Sequence, residues 1–197
     1  FFRKDIYNLL AGIVNRDNDS LLYGYSIIVA TTPIVLFSLV AKDYISSIFS
    51  INILVYTYII NSIILFMTKD VRGDKHQITI KLAIVMGIAQ IFALFPGISR
   101  AGITICTGLM LGYQQREVAK FSFFMAIPAL IGAMIFELDN IMHQVSGELL
   151  TLLIGFLVSM VSGLFVLGLL FKILQTNRLW MFSYYCIFIW LIILFIL

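Results

Sequence analysis

Apolar residues run along this chain in stretches of roughly 20, the length a helix needs to cross a hydrocarbon layer about 30 Å thick, with short polar turns between them. Five such stretches occupy residues 21–41, 51–67, 118–138, 149–171 and 179–197. They are predicted to be helices. Lipid offers backbone amides no partner, and the turn signals lie too far apart for a barrel of strands about 10 residues long. Residues 1–20 have a different pattern: Ile6, Leu9, Leu10 and Ile13 recur at helical spacing beside Arg3, Lys4 and Asp5, and 15–20 form a polar turn. This segment is predicted to lie at the membrane interface. Pro33, after two threonines, and Pro128 are predicted to kink their helices.

Residues 77–112 break the pattern. An apolar helix over 77–95 is stopped by Pro96 and Gly97, and a second helix over 101–111 ends at Gly112. Eleven residues reach only about 17 Å, too short to cross alone. Lys69, Arg72 and Lys75 precede the segment, and Arg116 and Lys120 follow it. A hairpin that enters and returns keeps both collars on one face, together with Arg3, Lys4, Arg16, Lys172 and Arg178. Lys42 is then alone on the other face, where the loop 139–148 has no Lys or Arg. The expected fold is an all-α integral membrane protein, a multi-span bundle with a cytoplasmic start, five spans and a re-entrant helical hairpin, in one domain covering 1–197.

Composition agrees with this reading and excludes others. The chain has 197 residues, 61% hydrophobic and 12% charged, against about 25% charged in soluble domains. The net charge of +3 comes from scattered basic residues, so nucleic acid is not an expected partner. Cys106 and Cys186 lie inside apolar runs and are read as buried thiols, not as a disulfide or zinc ligands. His143, Glu137, Asp139 and Glu148 are read as a solvated loop and its collar, and Trp180, Tyr184 and Tyr185 as interfacial anchors.

The chemistry concentrates at the tip of the hairpin. An arginine at membrane depth is disfavoured by about 2.5–3.5 kcal/mol on insertion scales, so Arg100 marks a function or a paired structural role. The second helix would offer unpaired N–H groups from about Ala101 to Thr104 and the positive end of a dipole, which suit an anion. Gly97 and Gly102 allow close backbone approach, Ser99 and Thr104 carry hydroxyl donors, and Arg100 carries a planar cationic fork. A plain structural reading stands beside this one: Ser99 as a helix cap, Gly102 and the pair Gly108 and Gly112 as packing positions, Arg100 as the partner of a carboxylate. Pro, Gly, Ser, Arg, Gly and Thr within residues 96–104 favour the anion site. Gln90, about one helical turn before the break, either orients water or bonds between helices.

The run from Gly87 to Thr104, with Pro96-Gly97-Ile98-Ser99-Arg100-Ala101-Gly102 at its centre, and the run from Glu117 to Pro128 resemble the bacterial undecaprenyl-pyrophosphate phosphatases linked to bacitracin resistance. The resemblance covers nearly the whole chain. It implies two inverted repeats whose hairpin tips meet at a site open to the periplasm of the bacterial cytoplasmic (inner) membrane. It also implies a polyprenyl diphosphate substrate among membrane lipids, and a divalent cation, Mg or Ca; a homodimer is left open. On this resemblance Arg100 and Ser99 are catalytic, while Gly97, Ala101, Gly102, Thr104 and Gln90 bind substrate. The first repeat's acidic and histidine-bearing stretch is not found in these 197 residues, so the chain is expected to lack the N-terminal part of that repeat. Ala101 stands where the family has a second serine, and Cys186 where an arginine is expected. The rival readings are a lipid transporter or flippase, whose broken helices also form anion sites near the bilayer midplane, and an inactive membrane remnant.

Overall fold

The structure, a computed structural model, describes residues 2–144 and 149–197. The side chains of 42–48, 136–144, 149 and 175 fall outside that description, and with them the expectations for Lys42, Glu137, Asp139, His143 and Glu148. The described residues form α1 (Arg3–Val14), α2 (Asn18–Ile48), α3 (Ile51–Phe66), α4 (Ile80–Ala89), α5 (Arg100–Met110), α6 (Gln115–Gln144), α7 (Leu149–Gln175) and α8 (Phe182–Ile196). Two 3-10 turns extend them: Gln90–Leu94 continues α4, and Leu179–Met181 leads into α8.

Among the described residues four segments are long and apolar enough to cross a membrane: Asn18–Ala41, Gln115–Ile135, Leu150–Leu174 and Leu179–Ile196. With this composition the chain is a multi-pass membrane protein. The expected span at 51–67 is shorter than the other four. Its helix, α3, has 16 residues and is about 24 Å long, less than the hydrocarbon thickness. α3 lies along α8 and also touches α5, and three of its four buried residues are polar: Thr57, Asn61 and Ser62. Both expected kink prolines lie inside helices that continue through them, α2 and α6. Thr31 and Thr32 donate to the carbonyls of Ile27 and Ile28, not to that of Val29, whose helical donor Pro33 removes.

α1 has no buried residue. It is tied to α6 by an ion pair between Asp5 and Lys120, and Phe2 packs its ring against Phe123, Phe124 and Phe171. The turn after α1 places Arg16 at φ 56°, and Asp17 caps α2 by accepting from the Ser20 amide at 3.1 Å and hydroxyl at 2.7 Å. These bonds hold the Asp17 carboxyl below its usual pKa.

Between α3 and α6 the chain forms a hairpin closed at its base. The amides of Asp74 and Lys75 donate to the Gly112 carbonyl at 3.2 and 3.1 Å, and the Gln114 amide donates to Lys75 at 2.9 Å. Lys75 Nζ caps the end of α5 on the Leu111 carbonyl at 2.9 Å. The segment therefore returns to where it left, with the break at its far end. Gly112, at φ 83°, makes the turn out of α5.

α5 is the interior of the molecule. Gly102, Ile103, Thr104, Ile105, Cys106, Gly108 and Leu109 are all buried, against Leu82 and Met86 of α4 and Val118, Phe121 and Met125 of α6. Irregular backbone at membrane depth survives only when enclosed by protein or lining a cavity, and the α4–α5 hairpin meets that condition. α7 is the opposite case: of its described side chains only Leu174, near its end, is buried.

α4 packs on α2 through Gly87, where a Cβ would lie 2.6 Å from the Ala30 carbonyl oxygen. That same carbonyl accepts from Gln90. Gly87→Val is expected to push α4 off α2, destabilise the chain by about 1–3 kcal/mol and loosen Gln90. A thermal melt in detergent measures the first effect; loss of the activity proposed below reports the second.

Candidate active site at the hairpin tip

The break begins at Phe95, whose extended backbone, φ −74° and ψ 131°, ends the 3-10 turn. Gly97 then takes φ 92°, a conformation costly for any residue with a side chain. α3 satisfies the polar groups this turn leaves over. Thr57 Oγ1 donates to the Pro96 carbonyl at 2.6 Å, and Asn61 Oδ1 accepts from the Ser99 amide at 3.2 Å. Asn61 is 2% exposed, and its Nδ2 donates to Cys186 Sγ on α8 at 3.1 Å. Two polar residues one helical turn apart on α3 therefore fix the tip.

Ser99 caps α5 by accepting from the Gly102 amide at 3.1 Å, and its carbonyl accepts from Ile103 at 2.9 Å. This corrects the expectation of free amides from Ala101 to Thr104. Gly102 and Ile103 are bonded to Ser99, and the helix itself supplies Thr104 with an acceptor. The first-turn amides without an acceptor among the described residues are those of Arg100 and Ala101.

Arg100 is half-buried and has no carboxylate partner among the described residues. Its Nε and Nη2 donate to Gln90 Oε1 at 3.2 and 2.7 Å, and Nη2 also donates to the Met125 carbonyl at 3.0 Å. These are neutral acceptors, so the positive charge is oriented but not cancelled. Three of the five guanidinium N–H groups are used, and the two on Nη1 remain.

Gln90 and Thr104, expected among the groups that touch a ligand, are fully enclosed, each 0% exposed. Gln90 bonds Ala30 on one side and Arg100 on the other. Thr104 Oγ1 lies 2.8 Å from the Arg100 carbonyl and 2.6 Å from Ser122 Oγ. Both hold the frame around Arg100.

Two adjoining clefts flank the start of α5. A cleft of ≈ 410 Å³ is lined by Gly97, Ser99, Ala101, Gly102, Asn61 and Cys186, with apolar walls from Leu65, Ile105 and Val166. A cleft of ≈ 270 Å³ is lined by Arg100, Ala101, Ser122 and apolar residues of α6 and α7. Ala101, Ile105 and Leu170 belong to both. Ser99 and Arg100 thus open on opposite sides of one helical turn with Ala101 between them.

Neither lining includes a carboxylate or an imidazole, and no group of three His, Cys, Asp or Glu gathers among the described residues. This donor set does not fit a divalent cation held by these residues, and no step below is routed through one.

Asn61, Thr57 and Ser122 were not singled out from the sequence. Their signal was there: Thr57 and Asn61 stand four apart in a run that from Ile53 to Phe66 is otherwise apolar but for Ser62, and polar side chains in a span face the bundle interior by default. Asn61→Ala would remove the acceptor of the Ser99 amide and the donor to Cys186, at about 0.5–1.5 kcal/mol for each bond. The expected result is a lower Tm and lower activity, with Asn61→Asp, which keeps the acceptor, recovering more of both than Asn61→Ala.

The family model described as bacitracin resistance protein BacA matches residues 1–192. The chain is 32% identical over 203 residues to undecaprenyl-diphosphatase 3 of Acinetobacter baylyi, covering 100% of this chain and 76% of that protein. It is 34% identical over 205 residues to the undecaprenyl-diphosphatase of Korarchaeum cryptofilum, with 98% and 77% covered. Similarity to the undecaprenyl-diphosphatase of Corynebacterium glutamicum is 34% over 198 residues, with 94% and 68% covered. A match along nearly its full length, with the broken hairpin inside the matched region, means that the chain belongs to the BacA family of bacitracin resistance proteins.

Proposed function

We propose that this protein is an undecaprenyl-diphosphate phosphatase: it hydrolyses undecaprenyl pyrophosphate to undecaprenyl phosphate, recycling the lipid carrier for cell-wall synthesis and conferring resistance to bacitracin. The observation that carries the reading is Arg100, a cation clamped by two neutral acceptors at the break of a buried hairpin, with Nη1 unspent. A diphosphate headgroup is the anion such a site suits in a membrane enzyme.

In the reaction a water oxygen bonds to the terminal phosphorus and the bridging P–O bond breaks. The electron pair leaves with undecaprenyl phosphate, and inorganic phosphate carries the rest, releasing a proton to solvent. Phosphoryl transfer depends on positioning and charge neutralisation more than on covalent help, since negative charge spreads over the equatorial oxygens. Arg100 Nη1 and the Arg100 and Ala101 amides supply donors for those oxygens. The Ser99 hydroxyl, whose oxygen accepts from Gly102, keeps its proton to donate. Gly97 and Gly102 let the headgroup approach the backbone, and apolar walls from α5 and α7 accommodate the start of the prenyl tail.

The orientation follows from the collars. Arg72, Arg116 and Asn177 line one hollow, and Asp5, Arg116 and Lys120 line a neighbouring one, so the basic collars gather at one end of the bundle. That end is cytoplasmic by the positive-inside rule. The site then opens toward the periplasm of the inner membrane.

The test is phosphate release from undecaprenyl pyrophosphate by the detergent-purified chain. Translocation of a labelled polyprenyl phosphate across liposomes without phosphate release would establish a transporter instead. Ser99→Ala is expected to weaken the α5 cap by about 1 kcal/mol. It should also lower kcat by about tenfold, less than the 10²–10³-fold typical of losing a main oxyanion donor, because neighbouring amides remain.

A further inference from the structure

At the other end of α5 from Ser99 and Arg100, about 16 Å away along an 11-residue helix, lies a hollow of ≈ 390 Å³. Its walls include Arg72 and Gly73 before the hairpin, Gln115 and Arg116 in the first turn of α6, Leu174 near the end of α7, and Asn177 beyond it. No carboxylate among the described residues lines it. Asp70 and Asp74 on the same approach are exposed, and Glu117 lines the neighbouring cleft with Asp5 and Lys120.

Three features make this hollow more than a basic collar. Arg72 and Arg116 are exposed, and neither has a carboxylate or carbonyl partner among the described residues. Gln115 is only 6% exposed, yet its Nε2 has no hydrogen-bond acceptor, a situation folded proteins rarely leave in place. The hollow also meets the start of α6, where Val118 is the first residue whose amide reaches back, to the Gln114 carbonyl. The amides before it have no intrahelical acceptor, and a helix start of this kind favours an anion.

We propose that this hollow binds a phosphate group, carried by an anionic lipid headgroup or free in solution. Arg72 and Arg116 close on its oxygens from two sides with planar forks of donors. Gln115, whose terminal amide turns at little energetic penalty, gives the enclosed donor an acceptor, and the first-turn amides of α6 complete the set. The hollow lies at the collar end of the bundle, where basic pockets between membrane helices meet lipid headgroups. It is separate from the hairpin tip, and it stands whether or not the tip hydrolyses a diphosphate.

The experiment uses the purified chain in two arms. In the first, native mass spectrometry follows retention of phosphatidylglycerol against phosphatidylcholine. In the second, Tm is followed against inorganic phosphate at constant ionic strength. Retention of phosphatidylglycerol roughly tenfold or more above phosphatidylcholine, lost in Arg72→Gln/Arg116→Gln and weakened in Gln115→Leu, assigns the site to a lipid headgroup. A saturable rise in Tm with phosphate, lost in the same variants, assigns it to the free ion. Equal retention of the two lipids by the unaltered chain, with no response to phosphate, overturns the proposal without reference to any variant. Binding that survives the double arginine substitution overturns it as well.

Discussion

Arg100→Ala is expected to lower kcat for undecaprenyl pyrophosphate hydrolysis by about 10²–10³-fold, the range for losing a principal donor to a developing oxyanion. The substitution removes the only charge lining either tip cleft among the described residues. It leaves the acceptors that held the guanidinium, Gln90 Oε1 and the Met125 carbonyl, with an unmet donor need, so some stability is lost as well. Arg100→Lys separates the two effects. Lysine keeps the charge but has no planar fork, so it cannot hold Gln90 and Met125 while also presenting a free pair of N–H groups. Tm should recover further than kcat. Steady-state phosphate release and thermal melts on the same preparations measure both, and an Arg100→Ala protein with undiminished kcat would remove Arg100 from the mechanism.

Gly97→Ala should have the largest effect on folding. The backbone there has φ 92°, and a Cβ would lie 2.3 Å from Thr57 Oγ1. That hydroxyl donates to the Pro96 carbonyl, so relieving the clash breaks a bond that closes the tip. Backbone strain and overpacking together are expected to destabilise by roughly 3 kcal/mol or more, a Tm lower by about 6–12 °C for a chain of this size. Thr57→Ala added to Gly97→Ala makes room for the Cβ but leaves the dihedral strain and the unpaired Pro96 carbonyl. The double variant should therefore recover only part of the loss, and full recovery would show that strain at Gly97 is unimportant.

Cys186 stands where the sequence resemblance implies an arginine. Its thiol is 4% exposed and accepts from Asn61. Asn61 in turn holds Ser99, so the position still communicates with the tip, through packing and one weak hydrogen bond instead of a charge. Ala101, where the resemblance implies a second serine, forms a wall shared by the two clefts, so no side-chain hydroxyl at that position reaches either cleft.

The helical membrane class, the break at Pro96 and Gly97, and Arg100 as the group to explain are all legible in the residues alone. Hydrophobic run length, proline and glycine chemistry and the expense of a charge in lipid are local properties, readable in one stretch of chain. The packed fold sets how Arg100 is held, which amides at the start of α5 stay free, and that Ser99 and Arg100 open on different sides of one turn. It also makes Gln90 and Thr104 supports of the site from within, and α3 a short brace whose Thr57 and Asn61 fasten the tip from about 40 positions away. A hydrogen bond between distant segments leaves no periodic trace: an asparagine in an apolar run announces that it has a partner, and only packing in three dimensions names it.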